Sequence, residues 1–176
     1  KGCELMLSTS DLIINFDELT NNELINYIFK RHHAFLKDGL KRINDEMFSL
    51  FEVYSTEYDY FLEKLYIAFN DLKTNFEIHM VKEEKSIFLH IKEYETNKDE
   101  ELRKIILKEI EKIEKYNNQI EFDIKEIKRL TYDYTRGTKE HSAFDNMYLK
   151  LKELEKETIA HFELERNLIH KRILNA

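Results

Sequence analysis

Two segments of this chain repeat one chemical spacing: His79-Met80-Val81-Lys82-Glu83 and His161-Phe162-Glu163-Leu164-Glu165. On a helix, residues four apart share a face, so each His-x-x-x-Glu presents an imidazole and a carboxylate side by side. Each pair is a two-toothed ligand set, and imidazole with carboxylate suits iron, manganese or zinc. Two such pairs facing each other could hold two ions, the carboxylates bridging and the histidines terminating each one. His33 is the third histidine that the pattern below carries inward.

The elements that would position these residues are helices. The chain has no Pro and only three Gly, and it is rich in Glu, Lys, Leu and Ile, so sheet and turn punctuation is scarce and helix formers dominate. Thr20 followed by Glu23 reads as a capping box that opens a first helix from about residue 22 to the mid-50s. Its stripe is Phe29, His33, Leu36, Leu40, Ile43, Met47 and Leu50. A second stripe, from near Ser55, carries Tyr58, Leu62, Leu65, Phe69, Leu72, Phe76, His79 and Glu83, spaced by fours and threes. After a polar break at residues 95–99 the third stripe is Ile106, Ile110, Ile113, Asn117, Ile120, Ile124, Ile127 and Thr131. After a break at residues 134–138, with Gly137 as the turn residue, the fourth is Met147, Leu151, Leu154, Thr158, His161, Glu165 and Leu168.

Four amphipathic helices with short connections bury their stripes best as antiparallel neighbours, so the expected fold is all-α, an antiparallel up-down four-helix bundle over residues 21–176. Residues 1–20 read as a lead-in. At 1.5 Å per helical residue, distance from the turns sets depth. His33 lies 22 residues before Ser55 and His79 lies 24 after it; Asn117 lies 20 before Gly137 and His161 lies 24 after it. The polar members of the stripes therefore share one level. Burying them unpaired costs a few kcal/mol each, roughly, which a metal or a hydrogen-bonded polar layer must offset.

A net charge of −7, with both signs interspersed, offers no basic stripe for nucleic acid. No apolar run reaches the roughly 20 residues of a membrane span. Cys3 is the single cysteine, which excludes a disulfide framework and a Cys-based metal site in this segment and fits the cytoplasm.

Residues 23–36 (ELINYIFKRHHAFL), 79–88 (HMVKEEKSIF) and 161–169 (HFELERNLI) resemble the hemerythrin-like domain, and more closely the di-iron proteins that repair iron-sulfur clusters after nitrosative or oxidative damage. The likeness spans residues 20–172. Carried over residue by residue, it implies the metal ligands His33, His79, Glu83, His161 and Glu165, the set the stripes single out. It implies two non-haem irons, with one ion, manganese or zinc left open, and with nitric oxide or oxygen and iron-sulfur proteins as partners. It also implies a cysteine-containing domain ahead of this one, of which residues 1–19 would be the tail; a homodimer is left open, as is whether the protein is an enzyme.

The chain departs from that pattern in its third helix, where the family carries a histidine and Asn117 stands here. An amide oxygen is a weak donor to a transition metal, so one ion would lose a ligand. Glu121, one turn on and in a place where the family usually has Gly, is the substitute considered for the metal set. The family's Pro after each His-x-x-x-Glu is replaced by Leu89 and His170. His32, about 100° round the helix from His33, is expected beside the site or at the surface; His90, His141 and His170 are expected at the surface, and Tyr66 or Tyr148 is a candidate hydrogen-bond donor near the site. Two alternatives to repair stand: a hemerythrin-like oxygen or nitric oxide binder, though hemerythrin proper has more histidines, and a bundle that has lost its metal and acts as an interaction module.

Overall fold

The structure, a computed structural model, describes residues 14–136 and 142–176. Helix α1 (Asn21–Tyr27) starts at the expected capping box: Thr20 Oγ1 accepts from the Glu23 amide at 3.2 Å, and Glu23 Oε2 accepts from the Thr20 amide at 2.8 Å. The helix runs through a π-helical turn, π1 (Ile28–His33), into α2 (Ala34–Lys82). A second π-turn, π2 (Glu83–Ile87), leads into α3 (Phe88–Asn97). Helix α4 spans Glu100–Leu130, and α5 (Ala143–Leu164) continues through π3 (Glu165–His170) into α6 (Lys171–Asn175).

Helix α2 contains two arms. Its backbone leaves helical geometry at Tyr58 (φ −123°, ψ 22°), and the chain reverses there: His33 and Glu83, 50 residues apart, touch at 3.1 Å, whereas a straight helix would hold them about 75 Å apart. The first turn is therefore at Tyr58, three residues beyond the Ser55 marker. At the second turn Lys98 adopts left-handed φ and Asp99 caps α4 by accepting from the Glu101 amide at 2.8 Å. Gly137, the turn residue expected before α5, lies outside the described residues, as do His141 and residues 1–13 of the lead-in; the described approach to that turn uses left-handed φ at Tyr132, Asp133 and Tyr134. The end of the lead-in forms a short 3-10 turn (Phe16–Glu18) with Phe16 buried, and the Arg172 guanidinium donates to the carbonyls of Phe16 and Asp17.

Four rods result, and their contacts run in reversed order around the molecule. The first pairs with the second through His33–Glu83 and Phe48–Tyr66, and the second with the third through His90–Glu109 and Asn75–Asp123. The third meets the fourth through Glu114–Arg166 and Lys128–Glu155, and the fourth returns to the first through Glu157–Arg31 and Lys150–Glu46. This is the contact order an up-down bundle requires. No described helix is long and apolar enough to cross a membrane.

The third and fourth stripes are buried at every position expected. The first differs at one: Phe29 is exposed while Ile28 is fully buried. The cause is π1, whose wider turn holds one more residue than an α-turn, so the inward position before His33 falls five residues back instead of four.

The core is split in two. One cluster takes Leu36, Met80, Ile120 and Phe162 and extends toward the Tyr58 reversal; the other takes Ile28, Ile87, Ile113 and Leu164 and extends toward α3 and α6. In the first three rods the break between the two clusters falls on the polar residues His32 and His33, Glu83, and Asn117, and in the fourth it falls between His161 and Glu165. The common depth obtained by counting from the turns is thus a layer across the molecule.

Candidate metal centre

Each rod delivers its polar residue to this layer by the periodicity that buries its neighbours, and three of the four do so at a π-turn. His33 ends π1, Glu83 opens π2 and Glu165 opens π3. A π-turn leaves helical hydrogen bonding locally altered and re-aims side chains, and such turns are frequent at functional sites. The two His-x-x-x-Glu pairs are therefore built alike, an α-helical histidine followed by a carboxylate on the first residue of a π-turn.

His33, Glu83, His161 and Glu165 each offer one ligand atom such that all four atoms lie within 4.8 Å of one another. All four side chains are fully buried, and so is His79. His79 Nε2 stands 3.1 Å from Glu83 Oε2 and 3.1 Å from His161 Nε2. His161 Nε2 is 3.2 Å from Glu165 Oε1, and His33 Nε2 is 3.1 Å from Glu83 Oε2. The nitrogens and oxygens thus converge on one small volume.

The layer is electrostatically unresolved without a cation. Burial would push Glu83 up, but the charge and hydrogen bonds of His79 and His33 hold it well below the ordinary carboxylate value. Burial and then the negative charge of Glu83 drive Glu165 well above that value. Burial also drives His161 well below the ordinary imidazole value, whereas for His33 the hydrogen bonds to Glu83 and Glu84 outweigh burial and raise it. Two carboxylates split in this way share a site that favours one negative charge, not two.

Several buried atoms have no hydrogen-bond partner: Nδ1 of His79 and His161, Oε1 of Glu83, both carboxylate oxygens of Glu165, and both amide atoms of Asn117. Buried polar atoms are rarely left so, and one place they are found is where an ion belongs. Imidazole and carboxylate donors at these separations fit a transition metal, and a positive charge would ionise Glu165 and satisfy both carboxylates.

Around the layer stand residues that periodicity did not reveal. Glu84 Oε1 lies 2.8 Å from His33 Nδ1 and accepts from Lys37 Nζ at 2.7 Å. Histidine ligands commonly donate their other ring proton to a carboxylate in this way, which fixes the tautomer and aims the free nitrogen. Its signal in the sequence was only adjacency to Glu83, because it faces His33 across the hairpin and sits on no inner stripe.

Other expected positions fall elsewhere. Glu121 is not in the cluster: its carboxylate accepts from Arg166 Nη1 at 2.8 Å, with 39% of the side chain exposed. Arg166 Nε also donates to Glu114 at 2.9 Å, so one guanidinium spans the two carboxylates that flank Asn117 on α4. Tyr148 donates to the carbonyl of Arg136, and Tyr66 packs on Phe51 at the edge of the first cluster and on the exposed Phe48; neither hydroxyl has a described contact with the layer. His90 is half-buried against Glu109. His170 is buried and not at the surface, because π3 carries it inward, with Nδ1 3.3 Å from Glu114 Oε1. His32 is buried as well.

No protein-family model matches the chain. It is similar to the iron-sulfur cluster repair protein ScdA of two strains of Staphylococcus epidermidis, with 26% identity over 160 residues, 91% of this chain and 70% of each relative. The chain is a distant relative of an iron-sulfur cluster repair protein.

Proposed function

We propose that this chain is a hemerythrin-like, non-haem di-iron protein that acts in the cytoplasm in repair of iron-sulfur centres damaged by nitrosative or oxidative stress. The observation that carries the reading is the buried layer of unpartnered His and Glu atoms, at the level where four antiparallel rods meet. The distant relationship to a repair protein supports the role. In this reading His33, His79 and His161 are terminal ligands and Glu83 and Glu165 bridge the two ions, as paired carboxylates on facing helices do in di-metal bundles. Bound iron would supply an exchangeable position for a small ligand, or iron for a damaged cluster. Glu84 holds the His33 proton at Nδ1 so that Nε2 is free to ligate. The two apolar clusters above and below the layer exclude water. Partners are nitric oxide or oxygen at the site and an iron-sulfur protein at the surface.

A second reading is reversible binding of oxygen or nitric oxide at the same layer, and Asn117, whose fully buried and unpartnered amide stands where the resembling family ligates, supports a third, a bundle that has lost its metal and acts as an interaction module. Elemental analysis after anaerobic ferrous reconstitution tests the site. About two irons per chain, with restoration of a nitric-oxide-damaged iron-sulfur enzyme, is the result expected. Two irons with reversible ligand binding and no restoration favours the second reading, and no metal removes both.

A further inference from the structure

Among the described residues, His32 is the one remaining buried histidine of the layer without an assigned task. It is 3% exposed, in the same break between the two apolar clusters as His33. In an α-helix adjacent residues point about 100° apart and one of them faces away. Here both lie in π1, whose wider turn reduces the angle between neighbours, and both side chains are inside.

The surroundings of His32 repeat those of His33. Its Nδ1 lies 2.8 Å from Oε1 of Glu157, somewhat out of line for a full hydrogen bond, and Arg31 holds the same oxygen at 3.2 Å. Glu157 is itself only 7% exposed. Nε2 of His32 is buried with no partner. Its ring centre is 5.7 Å from that of His161, close to the 5.1 Å and 5.4 Å that separate His161 from His33 and His79. A carboxylate behind one ring nitrogen and a buried, orphaned second nitrogen, on a ring packed beside His161, is the arrangement of a ligating histidine just outside the four converging ligand atoms.

The geometry points to His32 as a further metal ligand, supplying through Nε2 the nitrogen that Asn117 does not, with Glu157 as its orienting carboxylate. The inference rests on the metal reading above. It accounts for two oddities together: a second inward histidine on the first rod and an asparagine on the third. The ligand lost from α4 is regained from π1.

The test uses the full chain and ferrous iron alone, added anaerobically. Wild type is expected to bind about two irons, His32→Ala about one, and the double variant His32→Ala/Asn117→His about two again. Glu121→Ala, whose carboxylate is the rival substitute, is expected to keep both. If His32→Ala, with the far-UV circular dichroism of wild type, still binds two irons, the inference is overturned while the metal centre stands; if wild type binds none, the metal reading falls and this inference with it. Because His32→Ala is a buried change, the wild type is also loaded with cobalt(II) alone, and its hyperfine-shifted, exchangeable imidazole protons are counted. Four signals, for His32, His33, His79 and His161, are expected; three overturn the inference without recourse to any variant.

Discussion

Nδ1 of His33 and Oε1 of Glu84 stand 2.8 Å apart, which leaves Nε2 as the only nitrogen of that ring aimed at the layer. The carboxylate therefore sets the ring orientation of a residue fifty-one positions away and, with a cation at Nε2, would keep the remaining ring proton at Nδ1. Removing it should weaken metal binding without removing a ligand. Glu84→Ala is expected to lower iron affinity by about 10- to 100-fold, the usual effect of losing such a partner, while Glu84→Gln, whose amide oxygen can still accept, recovers part of it. Chelator competition on the two variants measures this; equal affinities in wild type and Glu84→Ala would remove Glu84 from the site.

Glu165 gives a prediction of opposite sign for stability and function. Its pKa is driven up by burial and by Glu83. Above the ordinary carboxylate value the unfolded chain loses this proton while the metal-free fold retains it, so the group's contribution to stability falls as pH rises through that window. Glu165→Gln removes the cost. The metal-free variant is expected to be more stable at neutral pH by about 0.5–2 kcal/mol, the usual range for a single stabilising substitution, and to bind less iron. Urea denaturation of metal-free wild type and variant decides it; a less stable variant would mean the carboxylate is satisfied by neighbours.

The same electrostatics fix the protons that accompany a cation. His33, with a carboxylate facing each ring nitrogen, is pushed toward its doubly protonated form, and Glu165 is pushed toward its neutral form. Ligation requires Nε2 of one and the carboxylate of the other free of protons. Metal uptake near neutral pH should therefore release protons, and affinity should rise with pH. Titration calorimetry in buffers of different ionisation enthalpy gives the number; no buffer dependence would contradict the shifts described.

Much of this was legible in the sequence because one rule, the four-and-three spacing, sets both burial and the placing of the inward His and Glu side chains. His79, Glu83, Asn117, His161 and Glu165 were found as interruptions of apolar stripes, and all five are buried at one level. What was not legible has two causes. The rule assumes an α-helix throughout, and the three π-turns each insert a residue, which puts Phe29 outside, brings His170 inside and turns His32 inward. Glu84 and Glu157 were invisible for another reason: each acts across an interface between rods, on His33 and His32 respectively, and a pattern along one helix carries no information about the facing one.

Away from the site, Gly39 lies inside the first arm of α2, where a Cβ would meet the Leu154 side chain at 3.6 Å, an ordinary packing distance. Helix-interior glycine costs about 0.5–1 kcal/mol relative to alanine. Gly39→Ala should stabilise the fold by that amount and leave metal content unchanged. Thermal melting with and without iron reads it; a lower melting temperature would show that Leu154 has no room to accept the methyl group.

The strongest test of the π-turn account is a deletion. If π1 is an α-helix carrying one extra residue, removing the exposed Phe29 should close it to an α-helix and restore four-residue spacing between Ile28 and His33. Leu24, Ile25 and Ile28 would keep their places in the apolar cluster, so the deletion variant is expected to fold with unchanged helix content. His33 would remain on the inner face, while its neighbour His32 would rotate away through the wider angle of an α-turn. Loss of about one of the two irons with retention of fold is the outcome expected, read by circular dichroism and elemental analysis on the same sample. A variant that folds and keeps its full metal content would mean that the π-turn at His33 serves packing alone and that the register of Phe29 has no bearing on the site.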